Sequence, residues 1–170
     1  CYSSYDYMRV MTLARFLDGL YPDTPLVSGG YHASALPEDI IFEDSPFDAC
    51  IPGEGEVPMR DITETLLAGE EIDNRIFPKR VVEELDALPM YQWDLLDRYW
   101  PRAQSIGRKF QIYLARGCVY QCTFCMERAK SGYQWRSFSP DRAVAELERL
   151  SEFTDLEDWI VNIADPLFGF

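Results

Sequence analysis

The sequence predicts an α/β protein built on parallel sheets, and three observations carry that prediction. Helix-like and strand-like segments alternate at short intervals over residues 1–70. Glycines follow the strand-like segments. A second strand–helix–strand pattern begins at residue 110. The first region reads as a doubly wound α/β domain, residues 71–109 as a connector, and residues 110–170 as the start of a second α/β body.

Each element has a local reason. Residues 7–20, YMRVMTLARFLDGL, place Met8, Met11, Leu13, Phe16, Leu17 and Leu20 at helical spacing, and YPDTP ends the run. PLVSGG reads as a buried strand ending at Gly29 and Gly30. LPEDIIFED reads as a short helix with Pro37 in its first turn. FDACIPGEGE reads as a strand followed by a tight glycine turn, and VPMRDITETLLAG as a helix closed by Gly69. The connector alternates charges with apolar residues and carries one short helix around Trp93–Asp97. Beyond it, FQIYLA reads as a strand, SPDRAVAELERLSEF as a helix capped by Ser139 with Pro140 first, and DWIVNIA as the next strand. Strand, helix and strand in that order imply a right-handed parallel crossover.

Charge and composition narrow the function. Sixteen Lys and Arg against 29 Asp and Glu leave a net charge of −13, which repels phosphate backbones and disfavours nucleic acid as a partner. No apolar run approaches the length of a membrane span, and the start lacks the basic and apolar regions of a signal peptide. Five unevenly spread cysteines do not form a secreted disulfide framework, so a reducing cytosol, hence a cytoplasmic location, is expected. The sequence also has no initiator Met and stops inside an apolar stretch, and it is read as a fragment of a longer protein.

Three of the cysteines, Cys118, Cys122 and Cys125, lie in ARGCVYQCTFC. A closed zinc site needs four ligands. His32 is the single histidine and lies far upstream, and Cys1 and Cys50 belong to the first domain. Three thiolates with an open position suit an iron–sulfur cluster. A non-catalytic zinc-binding module is the alternative. The loop also follows a strand at its carboxyl end, the catalytic face of α/β barrels.

The CxxxCxxC arrangement resembles the radical S-adenosylmethionine (SAM) enzymes. The resemblance implies that Cys118, Cys122 and Cys125 hold a 4Fe–4S cluster whose open iron binds SAM. Reductive cleavage of SAM to a 5′-deoxyadenosyl radical would follow, with Phe124 near the adenine. GGYHASALPEDI and FDACIPGEGE are similar to the cobalamin-binding domain that precedes the barrel in one large subclass, and the connector ending near LDALP and the segment YQWRSFSPDRAVAEL are similar to that subclass too. The fold so implied is the C-terminal part of a Rossmann-like cobalamin-binding domain, followed by the first βαβ of a partial TIM-like radical SAM barrel. The early strands of the first domain and most of the barrel are absent, and the chain is expected to be inactive by itself. The implied cofactors are a 4Fe–4S cluster, SAM and cobalamin. The implied partners are a small-molecule substrate and a reductant such as flavodoxin or ferredoxin. The implied reaction is methyl transfer to an unactivated centre. Cyclisation, rearrangement or a cobalamin-free enzyme are the alternatives within the class.

Single residues are weighed against plainer roles. Gly29 and Gly30 are read as allowing close approach of a large flat ligand, with an ordinary strand-ending turn as the alternative, and Gly53 and Gly55 as carrying the meaning of the second turn. His32 is either a cobalt ligand or, more plainly, a polar loop residue beside the cofactor or a hydrogen-bonded surface histidine. Glu54 either touches the cofactor or, like Glu56, is a solvated or helix-capping carboxylate. Arg116 and Arg136 either neutralise cluster charge or pair on the surface. Asp165 touches SAM or substrate, or caps the next element. Trp93, Tyr99 and Trp100 are read as packing. No residue is assigned a catalytic role.

Overall fold

In the computed structural model the described residues are 3–72, 75–153 and 155–169. The protein is mixed α/β with small parallel sheets. It divides into two compact units, Cys1–Val82 with Tyr120–Tyr133, and Glu83–Val119 with Gln134–Phe170.

The first unit is organised around two parallel strands, β1 (Val27–Gly29) and β2 (Ala49–Ile51), with Ser28 opposite Cys50. Bridges from Cys50 to Ile76 and from Gly53 to Arg80 lay the start of the connector along the other edge of β2. β2 is thus central, and all three of its residues are buried. Alternating side chains of a strand point to opposite faces. Cys50 accordingly packs in a cluster with Met11 and Ala14 of α1 (Tyr7–Leu20), Ala33 of α2 (Tyr31–Ala35), Ile40 and Phe47. Ala49 and Ile51 pack on Ile62 of α3 (Glu56–Leu67). Helices therefore cover both faces of the strand pair, as a doubly wound arrangement requires.

Two details go beyond or differ from the sequence reading, and one agrees with it. In α1 the buried residues are Met11 and Ala14, while Met8, Leu13, Phe16 and Leu20 are exposed. The helix is apolar on more than one side, so its period reveals the helix but not the buried face. LPEDIIFED forms only a single 3₁₀ turn at Pro37–Asp39, and the helix lies just before it as α2. α3 does end as expected: Gly69 adopts φ +74°, and its N–H donates to the Leu66 carbonyl.

The second unit pairs β3 (Lys109–Ile112) in parallel with β6 (Ile160–Ile163). Between them come β4 (Ala115–Arg116), antiparallel to β5 (Arg136–Ser137), and α6 (Pro140–Phe153). Ser139 caps α6, its Oγ accepting the Arg142 N–H at 3.2 Å. Phe110 and Ile112 of β3 join Trp93 and Leu150 in the core. Trp100 stacks on Trp159 with ring centroids 4.5 Å apart. The connector holds more helix than expected, a 3₁₀ stretch Trp93–Tyr99 running into α4 (Trp100–Ile106). Arg142 and Glu146 of α6 grip its earlier part. The Arg142 guanidinium donates to the carbonyls of Asp86, Leu88 and Pro89 and pairs with Glu146 at 2.8 Å, and Glu146 also accepts the Tyr91 N–H. Hydrogen bonds from Ser139 hold the Asp86 carboxyl below its usual range.

Candidate functional site

In the first unit the glycine motifs meet at the carboxyl ends of β1 and β2. Gly30 has φ +97° and precedes α2. A Cβ on Gly29 would stand 3.3 Å from the Ile51 carbonyl oxygen, so this glycine serves close strand packing. Gly53 has φ +83°, and a Cβ there would lie 2.4 Å from the Arg80 carbonyl oxygen, which only glycine tolerates. Ser34 joins the two turns: its hydroxyl donates to the Gly30 carbonyl at 2.8 Å and accepts the Gly53 N–H at 2.9 Å. The sequence reading did not single out Ser34, although its place in the turn of helix after a Gly-Gly pair marks it as a local backbone partner.

The polar candidates nearby are committed inward. His32 is 3% exposed. Its Nδ1 shares a hydrogen bond with Ser4 Oγ at 2.8 Å, and its ring lies 4.8 Å from that of Tyr7. Its Nε2 lies 3.3 Å from Asp39 Oδ2 without the alignment of a hydrogen bond. Glu54 is 3% exposed, and its Oε2 accepts the Val82 N–H at 2.7 Å, fastening the connector segment beside β2. Gly55 caps α3, and Glu56 sits in the first turn, where the helix dipole favours a carboxylate.

The cysteine motif runs from one unit into the other. Cys118 belongs to the second, and Cys122, Phe124 and Cys125 belong to the first. Gly117 turns the chain into the loop with φ +80°. The Cys125 N–H donates to the Cys122 carbonyl at 3.1 Å, and Phe124 is 88% exposed. All three thiols are free; Cys122 is exposed and the other two are half-buried. Among the described residues no group of three or more His, Cys, Asp or Glu side chains converges on a metal site. The donor set still fits a soft metal cluster, being three uncommitted thiols on a solvent-accessible loop. Cys50 does not fit: it is fully buried, and burial pushes its thiol up to about 11. Cys1 lies outside the described residues.

In the second unit Asp165 follows β6. Its Oδ1 accepts the N–H groups of Leu114 (2.8 Å) and Ala115 (2.9 Å), which ends the regular pairing of β3 and starts β4. Its Oδ2 is buried and has no hydrogen-bond partner among the described residues. Arg116 and Arg136 lie opposite each other in the β4–β5 ladder. Among the described residues no helix is long and apolar enough to cross a membrane.

No family model matches the chain. Its homologues among curated proteins are cobalamin-dependent radical SAM methyltransferases and related enzymes, at 24 to 28% identity. The chain is 28% identical to the cobalamin-dependent radical SAM methyltransferase TokK of Streptomyces tokunonensis, over 99% of this chain and 27% of that protein. It is 26% identical to the hopanoid C-3 methylase of Methylococcus capsulatus, over 85% of this chain and 30% of the relative. It is 24% identical to the anaerobic magnesium-protoporphyrin IX monomethyl ester cyclase of Rubrivivax gelatinosus, over 95% of this chain and 32% of the relative. The chain thus spans about a third or less of the length of these relatives.

Proposed function

We propose that this chain is the cofactor-holding segment of a cobalamin-dependent radical SAM enzyme, with methyl transfer as its reaction. The observation that carries the reading is the set of three free thiols, Cys118, Cys122 and Cys125, on a loop that follows a strand pair in an α/β body. Their role is to supply three thiolate ligands and leave one position open. The cluster would supply the electron that cleaves SAM, and cobalamin would supply the methyl carrier. Phe124 offers an exposed ring to a flat group. Gly30 and Gly55 offer backbone that a large ligand can approach, while Gly29 and Gly53 seat the two turns against the Ile51 and Arg80 carbonyls and Ser34 fixes their spacing. His32 and Glu54 support that floor from beneath, since both are buried and engaged within the unit. Asp165 presents one unpartnered carboxylate oxygen, Oδ2, after β6, suited to an ammonium or hydroxyl donor.

A second reading keeps the radical SAM class but replaces methyl transfer with cyclisation. The cyclase among the relatives favours it. The class is tested by anaerobic reconstitution with iron and sulfide, followed by electron paramagnetic resonance (EPR) of the reduced protein with and without SAM. A 4Fe–4S signal that shifts on adding SAM and disappears in Cys118→Ala is expected. Stoichiometric zinc with no cluster would overturn the reading and leave a structural metal module. Cobalamin retention and transfer of labelled methyl groups separate the two reactions.

A further inference from the structure

We propose that Tyr31 and Glu127 form a positioning clasp that holds the Cys122–Cys125 half of the cysteine motif on the helix following the Gly29–Gly30 turn. This rests on the reading that the cysteines hold a cluster. The loop itself provides little to fix it. After Gly117, no residue is buried until Glu127, so the segment bearing all three thiols is anchored only at its two ends. Glu127 is the anchor on the carboxyl side, two residues beyond Cys125 and the first residue of α5 (Glu127–Ser131).

The chemistry of this anchor is specific. The Glu127 side chain is 5% exposed, and burying a carboxylate is costly unless its oxygens are hydrogen-bonded. Both are. Oε2 accepts the Tyr31 hydroxyl at 2.5 Å, and Oε1 accepts the Ser131 hydroxyl at 2.5 Å. Tyr31 stands immediately after Gly30 and opens α2. One further contact joins the same pair of short helices, the Lys130 ammonium lying 5.1 Å from the centre of the Tyr31 ring, and Lys79 Nζ, beside the Gly53–Arg80 bridge, donates to the Arg128 carbonyl of α5 at 3.4 Å. A five-residue helix has no stability of its own, so α5 exists because it is docked. An apolar anchor would set only the depth of the loop. A carboxylate held by two directional hydroxyls also sets its orientation. The clasp therefore ties the backbone at Cys125 to the glycine turn of the first unit, and Glu127 acts through the cysteine loop as a positioning residue.

Tyr31→Phe and Glu127→Gln test this in the full chain, with Ile62→Val as a control that weakens the core of the same unit elsewhere. Two readouts are taken. In the apoprotein, alkylation of Cys125 by iodoacetamide, followed by mass spectrometry, is expected to quicken about tenfold in both clasp variants, the worth of one hydrogen bond. The control and wild type should match each other. In the reconstituted protein, both clasp variants are expected to broaden the reduced-cluster EPR signal and to need about tenfold more SAM for the same spectral shift, again unlike the control. Unchanged Cys125 alkylation in both clasp variants, or an equal change in Ile62→Val, would overturn the clasp. Failure of the wild type to take up a cluster would instead overturn the reading on which it rests, while the alkylation rates would still decide whether the clasp exists.

Discussion

Glu54 and Glu146 are both almost fully buried, and each accepts a backbone N–H from the connector, yet they do so in different company. Glu54, in the first unit, takes the Val82 N–H beside the Gly53 turn, where the backbone has already been drawn in by the Gly53–Arg80 bridge. Glu146, in the second unit, takes the Tyr91 N–H while paired with Arg142, whose guanidinium spans three carbonyls of the same segment. The first grip supplements a strand pairing. The second replaces one, because residues 86–91 have no ladder partner and side chains must satisfy their backbone. The comparison teaches that a buried acid in this chain is not by itself a mark of catalysis: both acids complete a backbone.

The largest expected effect follows from that difference. Glu146→Ala strands a nearly buried guanidinium and removes the carboxylate that accepts the Tyr91 N–H, and removing one partner of a buried pair costs about 3–5 kcal/mol. Urea unfolding would measure it. A loss no larger than that of an exposed ion pair such as Arg108–Asp158 would show that the carbonyl contacts of Arg142 suffice without the carboxylate. Glu54→Ala should cost less, about 1–3 kcal/mol, because the Gly53–Arg80 bridge and the bond from the Glu54 N–H to the Arg80 carbonyl remain. If the two losses come out equal, the distinction between supplementing and replacing a strand pairing is wrong.

The same contrast explains what was legible beforehand. α1, α3, α6 and the strand segments were readable because each has a period, a cap or a glycine stop, and Ser139 and Gly69 sit where those signals placed them. α2 and α5 were not. They are five residues long, too short for a period to register, and neither has a side-chain cap. The two-residue ladder of β4 and β5 has no sequence signature either, since it exists because Asp165 captures the Leu114 and Ala115 N–H groups. The candidate site was legible at Gly53, whose turn needs a positive φ; the three cysteines stood out by type and spacing alone, and their role as cluster ligands is a proposal. The site was not legible at Tyr31, Ser34 and Glu127, whose roles depend on residues brought together from afar. Glu146 did leave a signal. It stands four residues before the fully buried Leu150, on the same helical face, and four after Arg142; an acid at an apolar position with a cation one turn away marks a buried pair.

The smallest effect concerns an acid of another kind in the first unit. Cys50, on the central strand, is buried without a charge, and its thiol is the donor toward the Ala33 carbonyl at 3.9 Å, a contact that needs the proton. Burial raises its pKa from 9.0 to about 11, so the folded state holds the proton more tightly than the unfolded state. The stability this contributes is complete below about pH 9. It declines as pH rises, because the unfolded thiol ionises first, and it is lost by about pH 11. Cys50→Ala should therefore leave the pH dependence at neutrality unchanged and flatten it between pH 9 and 11 relative to the wild type, with the tyrosines and lysines titrating alike in both. Parallel slopes in that window would mean that the thiolate is accommodated inside. The centre of the first unit would then tolerate a charge without the hydrogen-bond donors that hold Glu54 and Glu146, and the view that a buried acid here persists by completing a backbone would fail.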